Sequence, residues 1–546
     1  AAAAILLISI LVYSNSINNG FVWDDRGTIV SNTSITSIKN IPSFFTTDQW
    51  KITGNPSSSY YRPLANTFWT LEFQLWGNGP LGYHITSIIL HAFLSLILYL
   101  LCFNITGSST SAFFASLIFS VHPVHTENVA WTTGVSSIVC AILITASLLL
   151  YMRFSEKRSK VSLTISLICF LFAVFSYEYA LMLPFILIAY EFLIVRRKIR
   201  IKILMPYLLI VLFYLAARKM VISAGITYDT PLFSRILTSF VIHAKYLQSF
   251  FLPFPVKVLY DIQPPPSIFN IQVITSIFVL TAVWILMFLL YNKDKKALFA
   301  VLWFFVFLLP VANIIVIVKP QMMSLRYLYI PSMGLSILSG IYLEKISSKL
   351  KMVPFIIILV LSVITLNQNK YWQDDITLYR KMVVDSPSSS LARNNLGVAY
   401  LEANRLPDAL KEFQIAAESN PKNRFALFNL GDTYRALNRT DEAVFYLRKA
   451  LEIDPKDSRA YNSLGLTYKN MGKPQEAIDS FTLALNANPF NAEAHYNLAN
   501  LLFKMGKEDD SIIHYERFVE LATEKYKGMK IQVIKMLKDR GVNAND

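Results

Sequence analysis

Cysteine is scarce in this chain. Its 546 residues include three, Cys102, Cys140 and Cys169. Each lies inside an apolar run, so no disulfide staples a soluble portion and no CxxC metal ribbon exists. The redox compartment is left open. Charged residues are also few, 16% against 54% hydrophobic with a mean hydropathy of +0.42, and this excludes a wholly soluble protein. The net charge of +15 would suggest nucleic acid in a soluble chain. Here much of the Lys and Arg sits in short loops between apolar runs, where it reports topology, so no nucleic-acid partner is expected.

Apolar runs are abundant instead. The first, AAAAILLISILVY, gives a helix of roughly 20 Å against a hydrocarbon core of about 30 Å. A retained span that starts further upstream is expected, with the remnant of a signal segment as the alternative. Further runs follow at 84–104, 111–121, 128–151, 161–175, 180–195, 203–221, 271–291, 297–318, 328–344 and 353–367. Four connecting loops are basic: 153–160, 196–202, 292–296 and 344–351. The positive-inside rule makes these cytoplasmic. The stretch 236–254 carries His243 and Lys245 and reads as re-entrant or interfacial. The expectation is about eleven spans over 1–370, N-terminus inside, with the long loop 14–83 outside.

After residue 370 the character changes. Pro387, Pro421, Pro455 and Pro489 recur every 34 residues, and a strict period of this length means a repeat array. Leu396-Gly397, Leu430-Gly431 and Leu464-Gly465 share one register, followed by Tyr400, Tyr434 and Tyr468, then Ala409, Ala443 and Ala477. This is the tetratricopeptide pattern, an all-α solenoid over 371–523 with a leading half-repeat and a degenerate last repeat. Small residues let paired helices approach, and Pro stops the second helix. The basic amphipathic tail 524–546 is expected to cap the array. Asn395, Asn429 and Asn497 precede the Leu-Gly or Leu-Ala pairs, and such a row of amides can pair with an extended acceptor peptide. Ordinary helix-surface amides are the other reading.

Polar residues at membrane depth mark chemistry, because each costs free energy unless paired or facing water. Five clusters qualify: VWDDR (22–26), YYRPLANTFW (60–69), HPVHTENVAW (122–131), SYEY (176–179) and KPQMMSLRYLYIPS (319–332). The topology above puts all five on the outside face. Taken singly each has a plain reading: Asp24 and Asp25 as a turn pair satisfied by Arg26, Glu178 as a cap, Lys319 and Arg326 as snorkelling residues. His122, His125 and Glu127 also admit a divalent metal, though His at i and i+3 around Pro123 is a poor ligand frame.

FVWDDRGTIV, YRPL, HPVHTENVAW, a Ser-x-Glu before an apolar run, RYLYIPS and tetratricopeptide repeats, in this order, resemble the transmembrane and tetratricopeptide repeat containing O-mannosyltransferase family and its prokaryotic relatives. The resemblance covers essentially the whole chain. It implies a GT-C class glycosyltransferase: an all-α membrane bundle that uses a polyprenyl-phosphate sugar, possibly mannose by family name alone, and acts on the non-cytoplasmic side. It implies Asp24 and Asp25 as the acidic pair carrying the base, and roles for His122, His125 and Glu127 and for Arg326, Tyr327 and Tyr329 in binding. Arg326, Lys319 or Arg62 would neutralise the donor phosphate, and Glu178 of the third motif would join the substrate-binding residues. An acceptor Ser or Thr hydroxyl on an exported protein would attack with inversion while one Asp takes the proton. Two positions depart from the family pattern: Tyr177 stands where Lys is usual, and Leu325 where an acidic residue is usual. A membrane-anchored scaffold with an inactive transferase module is therefore the alternative function. Richness in Ile, Lys and Asn points to a prokaryotic plasma membrane, with the endoplasmic reticulum as the alternative.

Overall fold

The computed structural model describes residues 1–49, 60–197, 201–222, 230–314, 322–346, 350–540 and 542. These are almost wholly helical; the one β feature among them is an isolated antiparallel bridge between Tyr260 and Met323. The chain divides into two compact units, Ala1–Lys381 and Met382–Asp546.

Among the described residues of the first unit, six helical stretches are long and apolar enough to cross a membrane by length and composition: Pro80–Thr106, Thr132–Lys157, Glu178–Val195, Ile201–Val221, Ile271–Lys293 and Val353–Trp372. The other apolar runs make shorter helices. Pro310 ends the helix begun at Lys295, and Pro331 opens Pro331–Glu344, which packs deep in the bundle. A Cβ at Gly340 would sit 2.3 Å from the Ser111 carbonyl oxygen, so this helix approaches Ser109–Val121 as closely as backbones allow. The stretch expected to be re-entrant forms one amphipathic helix, Leu232–Phe251.

The basic loops expected on one face come together in two pairs. Lys345 bonds Asp294 at 3.1 Å, and Lys296 bonds the Thr106 carbonyl at 2.7 Å. Arg197 reaches the Ser155 carbonyl at 3.2 Å. The polar clusters of the sequence lie at the other ends of these helices and meet there.

The second unit is a stack of helix pairs running from Ser390–Glu402 to Glu508–Leu521. Ser389, Asn423, Asp457 and Asn491, again 34 residues apart, accept backbone N–H bonds at the first turn of each leading helix. Asn423 and Asn491 also donate to Ser390 and Ser458 of the preceding repeat, at 2.8 and 2.7 Å. One side chain thus ends a loop and fixes the next repeat's register. Gly465 shows why the pattern needs glycine, since a Cβ there would lie 2.6 Å from the Phe481 ring. Gly465→Ala should cost about 1–3 kcal/mol by overpacking, read as a lowered melting temperature of the full chain in detergent. The tail helix Lys527–Lys538 buries Val533 and Leu537 against Tyr515 and Phe518 and closes the end of the core.

Asn429 and Asn497 donate their amide hydrogens to Asn394 and Asn462 of the preceding repeats, at 2.9 and 3.0 Å. One N–H of each amide is thus spent on holding neighbouring repeats together. Asn395 is half-buried in the first of these helices.

Candidate active site

The site begins with a backbone that turns against its preference. Trp23 has φ +55°, a left-handed conformation that a bulky residue adopts only when its surroundings hold it there. Two restraints do so. Asp375 accepts the Trp23 N–H at 2.8 Å and the Arg26 Nε–H at 2.5 Å, bridging some 350 residues of sequence. The Trp23 ring stacks on Trp131 at 5.5 Å, and Trp131 stacks in turn on Trp372 at 6.0 Å.

This turn sends the two carboxylates in different directions. Asp25 is fully buried and fully engaged: one oxygen accepts the Val22 N–H at 3.1 Å, the other the Thr133 N–H at 3.0 Å and the Thr133 hydroxyl at 2.8 Å. It ties the loop after the first helix to the start of the helix that follows 122–131. Burial pushes its carboxyl up to about 7, opposed by those hydrogen bonds. Asp24 is half-buried, and its carboxylate makes no hydrogen bond or ion pair among the described residues, although its own carbonyl accepts from Thr28. Burial raises the Asp24 carboxyl above the usual range; the Arg326 guanidinium pulls it down and the Glu127 carboxylate pushes it up. The adjacent pair therefore divides into an anchor and a carboxylate without a hydrogen-bond partner among the described residues.

Arg326 stands opposite. Glu127 holds it from two directions, accepting the Arg326 backbone N–H at 2.9 Å while lying 3.3 Å from the guanidinium, and it also accepts the Ser324 hydroxyl at 2.5 Å. The guanidinium carbon lies 5.3 Å from the Trp131 ring centre, 5.8 Å from Trp23 and 5.2 Å from Tyr327. Its Nη1, the atom that faces Glu127, makes no hydrogen bond of good geometry, and Oδ1 of neighbouring Asn128 is buried without a donor. A cation walled by aromatic faces and held by only one carboxylate suits an anionic oxygen.

Arg62 is built in the same style. Glu178 accepts its Nε–H at 2.9 Å and lies 2.7 Å from Nη2, while Tyr177 and Tyr60 face the guanidinium at 3.8 and 4.6 Å. Tyr177, the residue that departs from the family pattern, thus supplies a π face to Arg62. Leu325, the second departure, is buried and turned away from this cluster.

Other expected site residues form the wall behind. His122 stacks on Phe250 at 4.4 Å and bonds its carbonyl at 2.9 Å. His125 bonds the Phe119 carbonyl and the Ser332 hydroxyl, at 2.8 and 2.7 Å, and the Tyr329 hydroxyl bonds His91 at 2.7 Å. With these nitrogens engaged, burial keeps His122 neutral, its value lowered to about 4. Among the described residues no group of three or more His, Cys, Asp or Glu side chains is placed to hold a metal ion. Lys319 lies outside the described residues. Sequence reasoning passed over Thr133 and Asp375, and gave no separate role to Trp23 and Ser324 within their clusters. It also missed Glu72, whose carboxylate is buried without a hydrogen-bond partner and is raised well above its usual range by burial and then by Asp25.

The repeat segment matches tetratricopeptide repeat family models over residues 376–424 and 394–458, and over 446–479 and 480–513. Along more of the chain the similarity is to protein O-mannosyl-transferases. One from Caenorhabditis elegans, F38B6.6, is 27% identical over 75% of this chain and 61% of its own length. TMTC3 of Homo sapiens is 27% identical over 73% of this chain and 49% of its own, and TMTC4 of Mus musculus 33% identical over 28% and 23%. The chain thus spans about three-fifths or less of the length of these curated relatives. Among solved structures, Pseudomonas aeruginosa pilF is 26% identical with a TM-score of 0.28, over 32% of this chain and 78% of that one. The homologues of this chain are proteins named protein O-mannosyl-transferase, and the chain itself is an integral membrane protein whose second unit is a tetratricopeptide array.

Proposed function

We propose that the protein is an integral-membrane glycosyltransferase of GT-C type that moves a sugar, mannose by kinship, from a polyprenyl-phosphate donor to Ser or Thr hydroxyls of exported proteins. The observation that carries this reading is the uncommitted Asp24 carboxylate facing Arg326, beside an Asp25 whose oxygens are already spent. In this reading the Asp24 carboxylate takes the proton of the acceptor hydroxyl as its oxygen bonds to the anomeric carbon. The bond from that carbon to the phosphate oxygen breaks on the opposite face, which inverts the centre. Arg326, with Arg62 at the neighbouring Tyr60–Tyr177 box, neutralises the departing phosphate, so the leaving group needs no proton. The stacked Trp23 and Trp131 hold both partners of this charge pair in place and keep water from it.

The tetratricopeptide unit would engage the acceptor protein or a partner on the non-cytoplasmic side, read as the outside of a prokaryotic plasma membrane. With one N–H of each paired between repeats, Asn429 and Asn497 retain a carbonyl oxygen and a second N–H that can pair with a peptide backbone. The test compares exported proteins from cells with and without the gene by mass spectrometry of Ser/Thr-linked hexose. Hexose that disappears with the gene and returns with the intact chain supports the reading. Hexose that returns equally with the Asp24→Asn chain would sink it and leave the scaffold function.

A further inference from the structure

The end of helix Val353–Asn369 and the residues after it run beside the loop that carries the two carboxylates, and the contacts advance together along both. The Leu366 carbonyl accepts the Asn15 side-chain amide at 2.8 Å, and the Asn369 amide donates to Asn15 at 2.7 Å and to the Val12 carbonyl at 2.9 Å. Further on, the Gln373 carbonyl accepts the Gly20 N–H at 2.9 Å. The series ends at Asp375, which grips Trp23 with one oxygen and Arg26 with the other.

Asp24 lies between those two gripped residues. Its own carboxylate makes no hydrogen bond among the described residues, so its direction is set by the backbone on either side. On the near side that backbone is the left-handed turn at Trp23. Without an acceptor for its N–H, Trp23 can relax to a negative φ, and the relaxation would swing Asp24 and carry the Trp23 ring away from the Arg326 guanidinium, now 5.8 Å from it. One acceptor therefore governs both partners of the facing charge pair. Stability is a poor account of the Asp375–Arg26 ion pair, because Arg26 is 53% exposed while Asp375 is 7% exposed, and a pair with one member in water contributes little. A second bonded oxygen does fix the rotation of the Asp375 carboxylate, and so keeps the first aimed at Trp23.

We propose that Asp375 is a positioning residue of the transfer reaction: by holding the turn at Trp23 it aims the Asp24 carboxylate and lays the Trp23 ring against Arg326. The inference rests on Asp24 as the base.

The test assays the detergent-purified full chain with polyprenyl-phosphate mannose and a Ser/Thr peptide. Asp375→Ala should lower kcat by about 10²-fold, the scale of a misplacement of about 1 Å, with KM little changed. Asp375→Asn keeps an oxygen for the Trp23 N–H and should recover most of that rate. Asp375→Glu keeps the charge but moves the oxygens by one methylene; it should also lower kcat, and it stands in should Asp375→Ala fail to fold. Asn369→Ala is the control for a merely structural role, since it removes two hydrogen bonds from the same stretch and should lower the melting temperature with kcat per folded chain unchanged. A second readout needs no transfer. Near-UV circular dichroism of the stacked Trp23, Trp131 and Trp372 should weaken in Asp375→Ala and persist in Asp375→Asn and Asn369→Ala. Native kcat in folded Asp375→Ala or Asp375→Glu overturns the proposal, as does an equal fall of kcat in Asp375→Ala and Asn369→Ala, or a native spectrum in Asp375→Ala. A parent chain that transfers no mannose counts against Asp24 as the base, while the spectra still decide whether Asp375 holds the turn.

Discussion

Asp24→Asn should lower sugar transfer by about 10²–10⁴-fold, the usual worth of a positioned general base, and leave the melting temperature of the purified chain within a degree or two. Asparagine keeps the size and turn of Asp24, whose side chain holds no structural hydrogen bond among the described residues, so little folding free energy is at stake. Asp25→Ala should behave in the opposite way. It removes the acceptor for the Val22 N–H, the Thr133 N–H and the Thr133 hydroxyl, and leaving buried donors unpaired costs about 1–3 kcal/mol each. The melting temperature should drop by several degrees, with activity lost through the loop. A fully active Asp24→Asn chain, or an Asp25→Ala chain as stable as the parent, would reverse these assignments.

The same division predicts a pH effect on stability. Burial raises the Asp25 carboxyl in the folded chain from its ordinary value of 3.8 to about 7. The folded state therefore holds more protons between those values, and stability falls as pH rises from about 4 to 7. Asp25→Asn cannot titrate and should flatten that slope, which melting curves across the window would read.

Much of the architecture was written in periodicity. The 34-residue recurrence of proline, Leu-Gly and alanine gave the solenoid and its register, because each repeat must bury the same stripe against its neighbour. Convergence of the polar loops on one face followed from the basic loops at the other. What the sequence could not carry is how a carboxylate is spent. Asp24 and Asp25 are adjacent and chemically alike; only the positive φ of Trp23 and the reach of Thr133 separate them. Asp375 lies some 350 residues from the turn it locks, a distance at which one sequence offers no signal. The amides Asn429 and Asn497 looked like a free row because pairing between repeats at a spacing of 35 leaves the same pattern as pairing with a ligand. His122 and His125 similarly stand out in a line of text, while in the fold backbone carbonyls accept from or face their rings and hold them as wall.

Arg326→Gln and Glu127→Gln should move the acidic limb of the activity profile in opposite directions. As a base, Asp24 works only when ionised, so activity falls as pH drops through its folded value. The guanidinium of Arg326 lowers that value and the carboxylate of Glu127 raises it. Removing the cation should shift the limb to higher pH; removing the anion should shift it lower. The rates should separate as well. Arg326→Gln deletes the charge that faces the departing phosphate, a loss of about 10²–10³-fold in kcat. Glu127→Gln leaves that charge but loosens its hold, since the Ser324 hydroxyl and the Arg326 N–H then share a neutral acceptor, so its kcat should fall less. A residue that served only to hold the loop together would lower the rate at every pH alike. Shifts of the same sign in both variants would mean that Asp24 is not the group whose ionisation sets the profile.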